Sequence, residues 1–221
     1  WPGSYGLVCD IGGSSMELAE IFDGKVGKRQ SSDLGPLKLQ GIPGGKKARN
    51  DHIKTTITAL KDKMGLQQNR LFLVGGSWRA LARIDMERRN YPLHVPHEYR
   101  MSTQGINETI KLLQDSDPEK LCRLCHISAN RMALLPIACE VLRRLLIAFA
   151  PKDIAISSYG LREGLLFAQM PKKLRDRDPL IEACYFAETK DARFPGFGKR
   201  LYRFIQPLFR DFNKAKRRLV K

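Results

Sequence analysis

The chain has 221 residues and a mass of 25.1 kDa, and its 43% hydrophobic and 28% charged content is ordinary globular usage. That excludes disordered, collagen-like and low-complexity classes and leaves room for one large domain or two modest ones. Thirty-nine Lys and Arg against 23 Asp and Glu give a formal charge of +16 and a pI near 9.9, which favours a polyanionic partner: nucleic acid, an anionic membrane surface or a phosphate polymer.

No stretch approaches the ~18 apolar residues of a membrane span, and the amino terminus lacks a basic segment followed by an apolar one. A cytoplasmic protein without membrane contact is expected. Five cysteines, an odd number in mostly apolar surroundings, read as reduced thiols.

Along the chain, the first informative segment is Gly6 to Ile21, GLVCDIGGSSMELAEI. Its pattern predicts a strand, a Gly12-Gly13-Ser14-Ser15 hairpin and a second strand. Paired glycines let backbone N–H groups approach an anion, and the Ser14 and Ser15 hydroxyls add donors. Asp10 at the strand end suits a hydrated divalent cation, and equally suits a tight turn that it caps itself. A Gly/Lys-rich loop, Gly41 to Arg49, then precedes a helix over Asn50 to Met64, where Ile53, Ile57, Leu60 and Met64 recur at helical spacing.

Arg70 to Val74, RLFLV, reads as a buried strand. Gly75-Gly76-Ser77 follows it and leads into a helix over Trp78 to Arg88, an arrangement whose free N–H groups and helix dipole favour an anion. Trp78 reads as a packing residue beside that turn. Asn90 to Pro96 is a loop, and Thr103 to Gln114 a helix. Cys122, Cys125 and His126 form a CxxCH, but with no second cysteine pair it reads as one helical turn and not as a metal site. Asn130 to Ala150 follows as a helix opened by an Asn cap and stopped by Pro151, then a strand at Asp153 to Ser157 and a helix at Leu161 to Met170.

After Pro171 the composition changes. Residues 171–221 hold 15 basic and 6 acidic side chains, a net of +9, leaving +7 for the rest. Two helices are predicted there, Pro179 to Glu188 and Gly196 to Phe209, before a run containing Lys214, Lys216, Arg217, Arg218 and Lys221. A charge run is ordinarily a solvated face; the functional reading is an electrostatic track for a phosphate chain.

Four segments carry a family resemblance. LVCDIGGSSMELAEI resembles the DIGGGSTEL signature of the exopolyphosphatase and guanosine pentaphosphate phosphohydrolase family, and LVGGSWRALARI resembles its later glycine element. NRMALLP, Asn130 to Pro136, is similar to its "ER....LPAG" helix, and ISSYGLREGLLF, Ile156 to Phe167, to its "S.GLREG" closing motif.

The resemblance implies an α/β fold: an actin-like, ribonuclease H-like lobe of mixed sheet and flanking helices over residues 1–170. A basic helical extension, 171–221, would begin a further helical domain. It implies hydrolysis by water of a terminal phosphoanhydride, in inorganic polyphosphate or at the 5′ end of guanosine pentaphosphate, with Mg²⁺. Asp10 matches the catalytic, metal- and phosphate-holding Asp, and Glu17 the acid at the motif's end. Gly12, Gly13, Ser14 and Ser15 match the first phosphate turn; Gly75, Gly76 and Ser77 match the second. Arg162 and Glu163 match the closing motif, as phosphate contacts or as a helix-start ion pair. Ser14 stands where the family has a third glycine and Met16 where it has Thr.

The family's other lobe, with its own phosphate loop and the catalytic glutamate, precedes the segment that opens at Trp1. An isolated chain of this extent is expected to turn over little. Larger members are often dimers. The alternative is a noncatalytic module that holds polyphosphate or RNA, in which Tyr202, Phe204 and Phe209 would stack bases, but no RNA-binding or helix-turn-helix signature supports nucleic acid.

Overall fold

Alternation along the first strand sets the architecture. In β1 (Tyr5–Ile11), Leu7, Cys9 and Ile11 are buried on one face while Val8 and Asp10 point to the other. β2 (Met16–Phe22) repeats the pattern, with Met16 and Leu18 buried and Glu17 exposed. β3 (Lys25–Ser32), β4 (Arg70–Val74), β5 (Arg100–Met101) and β6 (Asp153–Ser157) complete the sheet. The computed structural model describes residues 5–65 and 69–209. Among them the strand order is β3-β2-β1-β4-β6-β5, with β1, β4 and β6 parallel and the remaining pairs antiparallel. This is the mixed sheet that the resemblance implies.

Helices cover the face of Leu7, Cys9 and Ile11. They are α1 (Pro36–Gln40), α2 (Gly45–Met64), α3 (Gly76–Arg88), α4 (Thr103–Asp115), α5 (Pro118–Leu124) and α6 (Ala129–Phe149). α6 is the hub of this layer, packing against α1, α2, α3, α4 and α5. Its Leu135, Ala138, Val141, Leu142 and Leu145 are fully buried, so its outward residues are confined to a narrow stripe.

Several elements differ from the sequence expectation, each for a local reason. α2 starts at Gly45, not Asn50, because Gly44 adopts the left-handed φ of 92° that ends the loop; Lys46 and Lys47 therefore lie in its first turn. α6 is opened by Ser128, and the expected Asn cap, Asn130, lies inside its first turn. α3 begins at Gly76, within the predicted turn. Ser102 and Asp117 cap α4 and α5, accepting from the Gly105 and Glu119 amides at 3.0 Å each.

Asp85 ties α3 to α4. Nearly inaccessible, its carboxylate accepts from Thr109 at 2.7 Å, Arg88 at 2.8 Å and the Tyr99 hydroxyl at 2.7 Å. Three donors, one of them charged, supply what a buried carboxylate requires.

The chain divides into residues 1–163, which hold the sheet and α1–α6, and residues 164–221. α7 (Leu161–Gln169) starts in the first unit. The second contains α8 (Lys172–Arg175), α9 (Pro179–Asp191) and α10 (Phe197–Ile205), then a 3-10 turn over Gln206–Phe209. α10 stops short of the predicted end because Pro207 has no N–H to extend it. Arg200 lies over the Phe194 ring at 5.0 Å and Lys199 over Tyr185 at 5.9 Å, so both cations already contact an aromatic face. The terminal run from Lys214 to Lys221 lies outside the described residues.

Candidate functional site

Register brings the motifs together. Asp10 pairs with Val74 across the parallel β1–β4 ladder, and Val74 pairs with Ser157 across β4–β6. The carboxyl ends of three parallel strands therefore stand in a row, each running into a predicted motif: the hairpin, the GGS turn and the closing segment. Ligands of open α/β sheets bind at this end of the strands.

The two glycine turns touch. Gly75 has φ of 121°, and a Cβ there would lie 2.6 Å from the Ile11 carbonyl oxygen, so only glycine lets the second turn rest on the end of β1. The first turn is braced from behind by the start of α1. Leu37 donates its amide to the Gly13 carbonyl at 2.8 Å, and a Cβ on Gly35 would lie 2.2 Å from the Ser14 carbonyl carbon.

Not every expected donor is free. The Gly12 amide is consumed by the turn itself, donating to the Ser15 carbonyl at 2.9 Å. Gly13 and Ser14 are exposed, and their amides have no protein acceptor among the described residues. At the second turn α3 has no side-chain cap, so the Gly76 and Ser77 amides lie at the positive end of the helix dipole without an acceptor among the described residues.

Asp10 and Glu17 are cross-strand partners in the β1–β2 register. Burial raises the Asp10 pKa above the usual carboxylate value, Glu17 raises it further, and Arg79 partly offsets both. Glu17 is exposed and accepts from the Ser31 hydroxyl at 3.2 Å.

Two arginines join the site that the sequence reading did not single out. Arg79, in the first turn of α3, influences both Asp10 and Glu163, and donates to the Ser158 carbonyl at 3.3 Å. Arg131, in the first turn of α6, lies against the second glycine turn, with its Cζ 2.7 Å from where a Gly76 Cβ would stand. It makes no ion pair among the described residues. The signal for Arg131 was the Arg inside NRMALLP, which the motif match covered without giving it a role.

Glu163 is a cap. Its carboxylate accepts the Gly160 amide at 2.7 Å, and that bond, more than the neighbouring Arg162, lowers its pKa. Arg162 is exposed beside it, and no described bond carries it to the glycine turns. Trp78 is fully buried, its indole N–H without a partner among the described residues, so it packs in the core and does not cover the turns.

On the same sheet face as Asp10, a cavity of about 400 Å³ is lined by Val8, Phe72, Val74, Tyr159 and Leu161. No group of three or more His, Cys, Asp or Glu side chains converges among the described residues, and no described helix is long and apolar enough to cross a membrane.

Known proteins match this arrangement. The Ppx/GppA phosphatase family model matches residues 1–173. A type II variant structure of the Aquifex aeolicus Ppx/GppA phosphatase is similar at 20% identity and TM-score 0.63, over 77% of this chain and 58% of that one. An exopolyphosphatase from Cytophaga hutchinsonii is similar at 19% identity and TM-score 0.62, over 76% of this chain and 58% of that one. At these identities the structural likeness concerns the fold, and the chain spans less than two thirds of those proteins' length. No curated protein sequence matches the chain.

Proposed function

The chain belongs to the Ppx/GppA phosphatase family, and on that premise we propose that its two glycine turns hold the terminal phosphate of a phosphoanhydride substrate, inorganic polyphosphate or guanosine pentaphosphate, for hydrolysis by water. The observation that carries the reading is the contact between the turns: Gly75 rests on Ile11, which brings together two sets of amides without an acceptor among the described residues. Asp10 stands at its edge and Arg131 lies over Gly76.

In the reaction, the water oxygen bonds to the terminal phosphorus while the bond to the bridging oxygen breaks, giving orthophosphate and a chain one unit shorter. The resemblance assigns the water's proton to a glutamate of the family's other lobe. The part of this chain is to orient the phosphate and offset charge on its oxygens, which supplies most of the catalysis in phosphoryl transfer. The donor set fits Mg²⁺, which takes oxygen ligands through one or two carboxylates, waters and substrate phosphate. Asp10 would hold it, with Glu17 opposite, and when bound it would neutralise phosphate oxygens. A cytoplasmic setting belongs to the same reading.

The test follows tripolyphosphate and single-stranded RNA binding at the Gly13 and Gly76 amides by nuclear magnetic resonance, at two salt concentrations with Mg²⁺, beside orthophosphate release from polyphosphate of defined length. A preference for tripolyphosphate that is lost in Asp10→Ala supports the phosphatase reading. Equal affinities and equal salt slopes for both polyanions, unchanged in Asp10→Ala, would mark a noncatalytic polyanion module and overturn it.

A further inference from the structure

α6 carries a second group of cations that the glycine turns do not use. Arg143 lies twelve residues beyond Arg131, an axial separation of roughly 18 Å at the helical rise. There a cavity of about 310 Å³ opens where the first turns of α2, the end of α4 and the middle of α6 meet, lined by Lys46, Asn50, Gln114, Glu140, Arg143 and Arg144.

Its charge is unbalanced. The one lining carboxylate, Glu140, is taken by Arg49 through two hydrogen bonds, Nε to Oε2 at 2.8 Å and Nη2 to Oε1 at 3.1 Å. Lys46, Arg143 and Arg144 remain without a carboxylate partner among the described residues. The two arginines are only partly exposed and line the cavity. Guanidinium forks match the oxygens of phosphate, and the Asn50 and Gln114 side chains add neutral donors. A single carboxylate would leave most of the positive charge unmet. A short phosphate chain, with about one charge per unit and oxygens on every side, would meet it.

We propose that this cavity is a second, noncatalytic binding site for a phosphoanhydride chain, supplied either by inorganic polyphosphate or by the triphosphate of a nucleotide. The site stands whether or not the glycine turns hydrolyse phosphate.

The experiment is a titration of the isotope-labelled chain, followed by nuclear magnetic resonance, with inorganic tripolyphosphate, GTP and sulfate in separate arms. The signals are the Arg143 and Arg144 Nε–H groups and the Asn50 and Gln114 carboxamides, with the Gly13 and Gly76 amides as the marker of the other site. Saturable shifts at the cavity set with tripolyphosphate are expected, weakened roughly tenfold or more in Arg143→Gln/Arg144→Gln, as follows from losing charge-assisted hydrogen bonds. The Gly13 and Gly76 response stays unchanged. A stronger response to tripolyphosphate than to GTP assigns the inorganic chain; comparable responses assign the shared triphosphate.

Shifts that fail to saturate, that spread evenly over exposed lysines, that sulfate reproduces at equal affinity, or that survive the double substitution overturn the proposal. If the Gln pair lowers Tm, Arg143→Lys/Arg144→Lys supplies the reading, because it keeps charge and removes the fork. A partial weakening then supports the site, and none overturns it.

Discussion

Asp10 and Glu17 sit directly opposite each other across β1 and β2, two carboxylates in register at the edge of the first glycine turn. Like charges placed so cost stability, roughly 0.2–1 kcal/mol, and the Asp10 pKa is raised chiefly by burial and further by this repulsion. A raised carboxyl pKa favours the folded state below the unfolded value and loses that advantage as pH rises through the folded one. Asp10→Asn is therefore expected to raise Tm at pH 7 by on the order of 2 °C, with a smaller gain near pH 4, while weakening Mg²⁺-dependent phosphate binding. Thermal melts at the two pH values check it; a lower Tm at pH 7 would show that Asp10 is held by favourable contacts.

Gly35 and Gly12 separate architecture from ligand contact. A Cβ on Gly35 would occupy the space of the Ser14 backbone, whereas one on Gly12 finds nothing nearer than 3.6 Å. Gly35→Ala is expected to cost about 2 kcal/mol or more, the range of overpacked sites, and to disturb the hairpin. Gly12→Ala is expected to leave stability within about 0.5 kcal/mol, as surface changes do. Urea midpoints of both variants read the difference.

Arg131 is expected to contribute to ligand binding and little to the fold. It is exposed and lacks an ion pair among the described residues, so Arg131→Gln should change the urea midpoint negligibly. Tripolyphosphate affinity at the glycine turns, read at the Gly13 and Gly76 amides, should fall by roughly 10-fold, the scale of one charge-assisted contact. The same titration of Arg162→Gln makes the comparison sharper, since Arg162 shows no described link to the turns and its loss is expected to matter less.

At alkaline pH the buried Tyr99 hydroxyl becomes the weak point. Burial, then its hydrogen bond to Asp85 and that carboxylate's charge, push its pKa from the ordinary 10.0 up to about 12, against a small opposing effect of Arg89. Its stabilisation is full below pH 10 and is lost between about pH 10 and 12. Tyr99→Phe should cost about 1.5–3 kcal/mol near neutral pH, as for hydrogen bonds to charged groups, and should flatten the fall in urea midpoint across that window. Burial likewise raises the Cys139 thiol to about 12, so a remaining slope in the variant is expected.

Much of this protein was legible from local pattern. A short apolar run in LVCDI and two-residue alternation in MELAEI predicted the hairpin strands, and the three-to-four-residue recurrence of Ile53, Ile57, Leu60 and Met64 predicted α2. What escaped was set by single backbone conformations. The left-handed Gly44 moved the start of α2, and Ser128 took the cap expected from Asn130. Short-range rules leave such ends open because several neighbouring residues are equally able to begin a helix.

The sequence by itself determined the family, the mixed α/β class and the glycine turns with their acid, because these depend on residue type and spacing along a few residues. Only the tertiary structure decided that the two turns touch, that Arg131 lies against Gly76 across some fifty residues of chain, and that Glu163 caps a helix. It also divided the opening surplus of charge. Arg49 is paired with Glu140, Lys199 and Arg200 lie over aromatic rings, and Lys46, Arg143 and Arg144 line a cavity without a carboxylate partner among the described residues. A count of charges fixes the sign of a protein's partners; whether a cation is free to meet one depends on what packing sets beside it.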